Sequence, residues 1–260
     1  MNLRLIGLGT GAVLAVSTLG ACGTYQQDPQ CVVAKGTFAT VYTLKEGQDA
    51  SQACAQLKPE RVGLEKYFSE DPSAPDSVTM RPQKIGGELA HKDTLLDPDA
   101  PLQPNSVGEL MTDAPGEDNF CEVPTLTAAR LESRYGGVSK APVSLTYAWS
   151  NLRIYNTPEI PGTQFTAELH YSENGCTAEY TVKGIWPVVS CSKEIELDTD
   201  ANGDGKKDKV NVPDETKCDP NPDPSVGRYR GSGINPTFPV KCDPVALFCV
   251  LTGEVPSDKP

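Results

Sequence analysis

The chain has 260 residues, with 23 basic and 35 acidic side chains giving a net charge of −12, and 23 each of glycine and proline. Such a surface disfavours nucleic acid and anionic lipid headgroups by repulsion and suits cations or basic partners. A 38% hydrophobic content can bury a core, which argues against wholesale disorder, and the length fits one sizeable β domain or two small ones with many turns and little long helix.

The chain opens MNLRLIGLGTGAVLAVSTLGAC, with Arg4 ahead of an apolar stretch from about Leu5 to Leu19 that carries no charge. That stretch is short for a membrane span and suits a secretory signal sequence. Leu19-Gly20-Ala21-Cys22 resembles the lipobox of bacterial lipoproteins. The resemblance implies a signal peptide over residues 1–21 and cleavage before Cys22, which becomes the lipidated first residue. Gly23 rather than Asp at the next position implies outer-membrane placement. The competing reading is an ordinary signal peptide whose cysteine joins a disulfide. Several acyl chains on one residue would anchor durably, at about 0.8 kcal/mol per buried CH₂. Removing Arg4 with the leader turns 23 basic residues into 22 against 35 acidic, a net of about −13. Residues 22–30 then form a short polar lipidated tether.

Without Cys22, eight cysteines remain: Cys31, Cys54, Cys121, Cys176, Cys191, Cys218, Cys242 and Cys249. An even set in an exported protein implies up to four disulfides, and the spacing leaves their connectivity open. With no CxxC pair and only His91 and His170, zinc is the weaker use.

Along the chain, residues 31–45 read as a strand or bent strand pair, and residues 52–68 as strand or helical turn. Residues 76–91 read as strand with a bulge or turn at Gly86-Gly87. Residues 92–118, rich in proline and acid, read as a loop with one short helix around Ser106–Met111. This places a soft boundary between a β-rich region, 31–118, and a β-sandwich-like region, 119–260. Residues 124–135 fit helix or strand equally, and "VALFCVL" (245–251) reads as a strand in an otherwise loop-rich, disulfide-pinned C-terminal segment.

The clearest pattern lies at 141–190. Val143, Leu145, Tyr147 and Trp149 alternate with small polar residues; Phe165, Ala167, Leu169 and Tyr171 repeat the period, then Cys176, Ala178, Tyr180 and Val182. Asn174-Gly175 between the last two runs suits a type I′ turn, which needs φ > 0 at both central residues. A two-residue loop there pairs Tyr171 with Ala178, Leu169 with Tyr180, Ala167 with Val182, and on the other face His170 with Glu179 and Thr166 with Lys183. A one-residue slip would oppose apolar to polar residues. The expected fold is therefore mainly β: an antiparallel, β-sandwich-like, disulfide-braced domain with long Pro/Gly/Asp-rich loops and little helix. The wording of residues 142–190 also resembles myxobacterial lipoproteins.

"DTDANGDGKKDKVNV" (198–212) has the alternate oxygen ligands and turn glycine of a calcium loop. Starting at Asp198 puts Lys209 at position twelve, where it would repel the ion. Starting at Asp200 gives Asp200, Asn202, Asp204, the Lys206 carbonyl and Asp208, with Gly205 at the turn and Asn211 twelfth. The flanks alternate at period two, so the stretch resembles the strand–loop–strand calcium loops of integrin-type β-propeller repeats (DxNxDGxxD), in one copy, rather than an EF-hand. A solvated acidic turn without an ion is the competing reading. Calcium here would be structural.

No GxSxG, HExxH or phosphate-cradling glycine loop occurs. His170 reads as a cross-strand partner, His91 as an exposed loop residue, and "GRYRGSG" (227–233) as a solvent loop or a sugar or phosphate contact. Acidic pairs such as Glu194 with Glu196 or Asp97 with Asp99 carry no weight without geometry. The sequence thus points to a lipid-anchored envelope protein in binding, adhesion or assembly, with a membrane anchor, an envelope protein or polysaccharide partner and no nucleic acid. The alternative is a secreted-type hydrolase acting on polysaccharide or peptide, which requires ionisable groups converging in a cleft.

Overall fold

In the computed structural model the described residues are 29–257, apart from 72, 202 and 204. The predicted leader, Cys22, most of the tether, and Asn202 and Asp204 of the acidic loop lie outside them. The first ten strands are β1 (Gly36–Leu44), β2 (Glu60–Tyr67), β3 (Ser77–Pro82), β4 (Leu95–Leu96), β5 (Ser106–Glu109), β6 (Phe120–Thr125), β7 (Ala129–Tyr135), β8 (Val143–Asn156), β9 (Pro161–Glu173) and β10 (Cys176–Ile185); helix α1 (Gln83–Ala90) follows β3. All ten share one antiparallel sheet in the order β4-β7-β8-β9-β10-β1-β2-β3-β5, with β6 also on β8.

The predicted hairpin is present in the expected register. Tyr171 faces Ala178, Leu169 faces Tyr180, Ala167 faces Val182 and His170 faces Glu179. Asn174 and Gly175 have φ of 50° and 82°, the left-handed pair a type I′ turn requires. β8 is long enough to serve two neighbours. Residues up to Tyr147 pair with β7, and Ser150–Tyr155 pair with β6. Asn151, at φ 49°, makes the bulge that changes the parity of its inward residues from Val143, Leu145, Tyr147 and Trp149 to Leu152 and Ile154.

The sheet curls until β5, at one end, meets the segment around β6. Thr127 N–H donates to Val107 O at 2.8 Å and Met111 N–H to Glu122 O at 2.9 Å, joining the β5 end to the β6 side. The result is the expected sandwich-like enclosure: Phe38, Leu64, Met80, Leu131, Leu145, Trp149, Phe165 and Tyr180 fill its interior. Each such side chain removed from water contributes about 1.5–3 kcal/mol. A chain of rings runs through it. Tyr147 stacks on Trp149 at 6.0 Å and meets Tyr171 edge-on at 4.9 Å, while Tyr42 bridges Trp149 and Tyr180. Gly184 is needed on β10, because a Cβ there would lie 2.2 Å from the Phe165 ring.

The C-terminal segment forms a cap. Strands β11 (Ser192–Glu196) and β12 (Lys209–Pro213) make one hairpin, and β13 (Val240–Cys242) and β14 (Cys249–Leu251) another. Phe238, Phe248, Val250 and Leu251 pack with Ala39 and Ile185 of β1 and β10, so this segment, pinned by disulfides as expected, also has a core that the sequence pattern did not show. The eight cysteines pair as four disulfides: Cys31–Cys121 and Cys54–Cys176 in the sheet, Cys191–Cys242 and Cys218–Cys249 in the cap.

Three local expectations are corrected. Residues 83–90 are helix, not a continuation of strand, with Gly86-Gly87 inside it. Tertiary anchors override the weak local propensity: Ile85 is fully buried, Glu60 accepts the Lys84 N–H, and Glu88 is held from the far end. Residues 106–109 form strand β5 rather than a helix, because Ser106 and Gly108 turn inward at period two against β3. Within 245–251 only Cys249–Leu251 is strand; Asp243 Oδ1 accepts the N–H of Val245 and Ala246, and Leu247 has φ 54°, which makes the preceding residues a turn.

Candidate functional site

One end of the curled sheet opens into a cleft of about 660 Å³. Its floor is Glu60 at the start of β2, Tyr147 of β8 and Glu173 at the end of β9. One wall is the 3-10 turn Ala53–Gln56 with Leu57, fixed by the Cys54–Cys176 disulfide and by the Tyr180 hydroxyl, which donates to Cys54 O and accepts the Leu57 N–H. The opposite wall is α1, through Gln83, Lys84 and Gly87. Val138 closes one side, and Phe248 of the cap also reaches the lining.

Glu60 organises the floor. Its Oε1 accepts from the hydroxyls of Tyr42 (2.7 Å) and Tyr147 (3.0 Å), and its Oε2 from Lys84 N–H (2.9 Å), so it caps the first turn of α1. Burial against these rings pushes its carboxyl above the usual range, and the three donors only partly offset that. Burial and the nearby Glu60 charge also push the Tyr42 and Tyr147 hydroxyls well up, so both remain donors. Glu173 goes the other way. Burial would raise its carboxyl, but Lys84 Nζ at 2.6 Å and the Tyr171 hydroxyl at 2.7 Å hold it below the ordinary value. Lys84 Nζ also meets Tyr171 Oη at 2.9 Å.

Glu88 secures the rim. This residue is 3% exposed, and its carboxylate accepts the N–H groups of Val138 (3.0 Å) and Ser139 (2.8 Å) and the Thr94 hydroxyl. Burial alone would raise it; these donors together hold it lower. At the mouth, Lys58 and Arg61 are exposed and have no carboxylate partner among the described residues.

Of the acidic loop's predicted ligands, Asp200, Lys206 and Asp208 are described. The loop joins β11 to β12, the strand–loop–strand setting expected of it. Asp200 accepts from Gly205 N–H at 2.9 Å, and Asp208 accepts from Ala201 N–H and the Thr199 hydroxyl, which together keep it below the usual carboxylate range. Gly203 and Gly205 are left-handed, at φ 70° and 78°. Asp198 pairs with Lys207 at 2.7 Å, and Asn211 lies in β12 opposite Glu194. Oxygen donors on a tight turn suit a hard cation such as calcium.

The other sequence candidates have structural partners. Arg134 bridges Asp97 and Asp99, Lys209 pairs with Glu194, and His170 Nδ1 lies 3.8 Å from Glu179. In "GRYRGSG", Arg228 ties residues 216–221 together through Thr216 O, Asn221 O and Asp219. His91 ends α1, half-buried beside Gly137. The carboxylates that do share a cleft, Glu60 and Glu173, carried no local signal; they are 113 positions apart by number and meet only because β2 and β9 converge at one end of the sheet. Among the described residues no helix is long and apolar enough to cross a membrane.

The sequence model of the MlpA family matches residues 36–187, more than half of the chain. A Myxococcus xanthus protein whose given name proposes a lipoprotein, MlpA, is 27% identical over 269 aligned residues that take in 100% of this chain and 98% of that relative. No solved structure matches significantly. The matched span starts at β1 and stops just after β10. It therefore includes the cleft floor and α1 and leaves the acidic loop outside.

Proposed function

The chain belongs to the MlpA family, and from that premise we propose that it is a lipid-anchored protein of the bacterial outer membrane that binds an acidic envelope polysaccharide in the cleft. Three features support the anchor: the uncharged apolar leader, the Leu19-Gly20-Ala21-Cys22 sequence, and the name of the Myxococcus relative. The cleft carries the binding role. The observation on which it rests is that Lys58 and Arg61, exposed and without carboxylate partners among the described residues, line it together with Gln56 and Gln83 in a chain of net charge −12. Unpaired cations focused at a concave opening attract anionic ligands, and arginine can bind a carboxylate through two parallel hydrogen bonds. Calcium in the loop around Asp200, Asn202, Asp204, the Lys206 carbonyl and Asp208 would brace the cap and take no part in ligand contact.

A hydrolase reading has one observation in its favour, the opposite displacement of the Glu60 and Glu173 carboxyls in one cleft, the pattern of an acid–base pair. Against it, both groups are already engaged: Glu60 by three donors, Glu173 by Lys84 and Tyr171. Recognition is the stronger reading. Calorimetric titration with a hexasaccharide of uronic acids should give saturable binding, and Arg61→Ala should weaken it about tenfold, the equivalent of about 1.4 kcal/mol. A neutral hexasaccharide binding equally well would refute the charge-based assignment.

A further inference from the structure

The point at which the chain enters the fold is built into a fixed node. Cys31 is disulfide-bonded to Cys121; its N–H donates to Asp113 O at 2.7 Å, and its O accepts from Lys66 Nζ at 2.7 Å. Lys66 also pairs with Asp76 at 2.7 Å, and its ammonium lies 4.7 Å from the centroid of the Phe68 ring. Asp76 is held in turn by Ser69 N–H, and Leu110 N–H donates to Asp76 O. Around this polar node stand three apolar side chains in water. Phe68 is 78% exposed, Met111 62% and Val32 38%. Phe68 and Val32 line one shallow depression. Met111 lies between Leu110 and Asp113, both hydrogen-bonded to the node.

We propose that this rim is a membrane-contacting face, on which Phe68, Met111 and Val32 rest in the headgroup region of a zwitterionic bilayer. The inference builds on the lipid-anchor reading above and adds the orientation of the domain. From Cys22 to Cys31 the chain has nine steps, at most about 32 Å when fully extended. The node therefore stays within a few nanometres of the lipid. A contact too weak to hold a free protein becomes populated when a tether makes it intramolecular. An exposed aromatic and an exposed thioether chain suit the interface, where one side is apolar and the other wet. The charge around the rim selects the lipid. Asp71 and Asp113 line the same depression, Glu70 is adjacent in sequence, and Lys66 is already committed to Asp76 and Cys31 O, so anionic headgroups are repelled.

The test uses the full lipidated chain, reconstituted into phosphatidylcholine vesicles with and without brominated acyl chains. Phe68→Trp should give an emission that shifts to the blue and is quenched by the brominated lipid beyond the wild type, whose Trp149 and Trp186 set the baseline. Met111→Trp should behave likewise and guards against misfolding of the first variant. Tyr229→Trp, at the 77%-exposed tyrosine of the cap, should be quenched no more than the wild type. Adding anionic lipid at low salt should weaken the quenching. If the chain floats with the vesicles but neither rim variant is quenched, or the cap variant is quenched equally, the orientation is wrong while the anchor stands. If the wild-type chain fails to float and Cys22 carries no acyl mass, the anchor reading falls and the membrane face falls with it.

Discussion

The curled sheet and the C-terminal cap reach stability by different routes. The sheet buries long alternating strands around a continuous aromatic core, and its two disulfides fasten peripheral segments, the entry at Cys31 and the turn at Cys54, to that core. The cap has two short hairpins, 3-10 turns and a smaller core, and its two disulfides lie inside that core. Asp214, Asp219, Asp223, Asn235 and Asp243 each accept the N–H two residues ahead, so side chains shape turns there that strands would otherwise set. The contrast teaches that long strands around one continuous core hold the cleft, while the cap is braced by its own disulfides and turns.

The largest effects should separate the two regions. Leu145→Ala should destabilise the sheet by about 2–5 kcal/mol through lost contacts and a residual cavity, and lower protection across the whole chain. The double variant Cys218→Ala/Cys249→Ala should cost about 2–5 kcal/mol as well, but locally. Hydrogen exchange should show β11–β14 losing protection while β8–β10 keep theirs. Equal loss in both regions would break the comparison.

Next comes the rim. Glu88→Gln leaves N–H groups of Val138 and Ser139 poorly matched and should cost about 1–3 kcal/mol at neutral pH. Because the folded Glu88 carboxyl is lower than the unfolded one, its contribution is present above the ordinary glutamate range and lost as pH falls through the folded value. The variant should therefore lose part of the acid limb of the stability curve. Glu60 has the opposite sign: its raised carboxyl favours the fold below the unfolded value, and that contribution fades as pH rises through the folded one. Urea titrations from pH 3 to 8 would distinguish the two.

Calcium should act on the cap. With a dissociation constant of about 10⁻⁴–10⁻³ M, 10 mM calcium would stabilise the bound state by about 1–3 kcal/mol. Protection should rise at β11 and β12 and remain unchanged in β8–β10. Superimposed exchange profiles with EDTA and with calcium would remove the ion from the account. The smallest effect belongs to the surface of the sheet, where Glu179→Gln, losing the exposed His170 pair, should change stability by less than about 1 kcal/mol.

The sheet was legible where period two is strict. Residues 165–183 declare strands, faces and register because only one pairing across Asn174-Gly175 buries Leu169 and Tyr180 together, and Val143–Trp149 declares a strand and its faces. The helix at 83–90 was not, since Gly86-Gly87 argues against it and its stabilising partners, Glu60, Val138 and Ser139, are distant in sequence. The same distance hid the cleft: Glu60 and Glu173 are ordinary glutamates until the sheet curls. In the cap, an aspartate in the sequence fits a turn former and an ion ligand equally well. Asp214, Asp219, Asp223 and Asp243 proved to be turn formers, while Asp200 and Asp208 accept the backbone of a loop whose flanks, Ile195 and Val210, do pair as strands.

Recognition of an acidic polysaccharide without cleavage is what separates the two readings of the cleft. It is tested most directly by holding the wild-type protein and Glu60→Gln with a uronic-acid hexasaccharide under saturating conditions and weighing the recovered sugar by mass spectrometry. Intact hexasaccharide is expected from both, with the wild type bound. Shortened products from the wild type that disappear with Glu60→Gln would contradict it and make the Glu60–Glu173 pair a catalytic one.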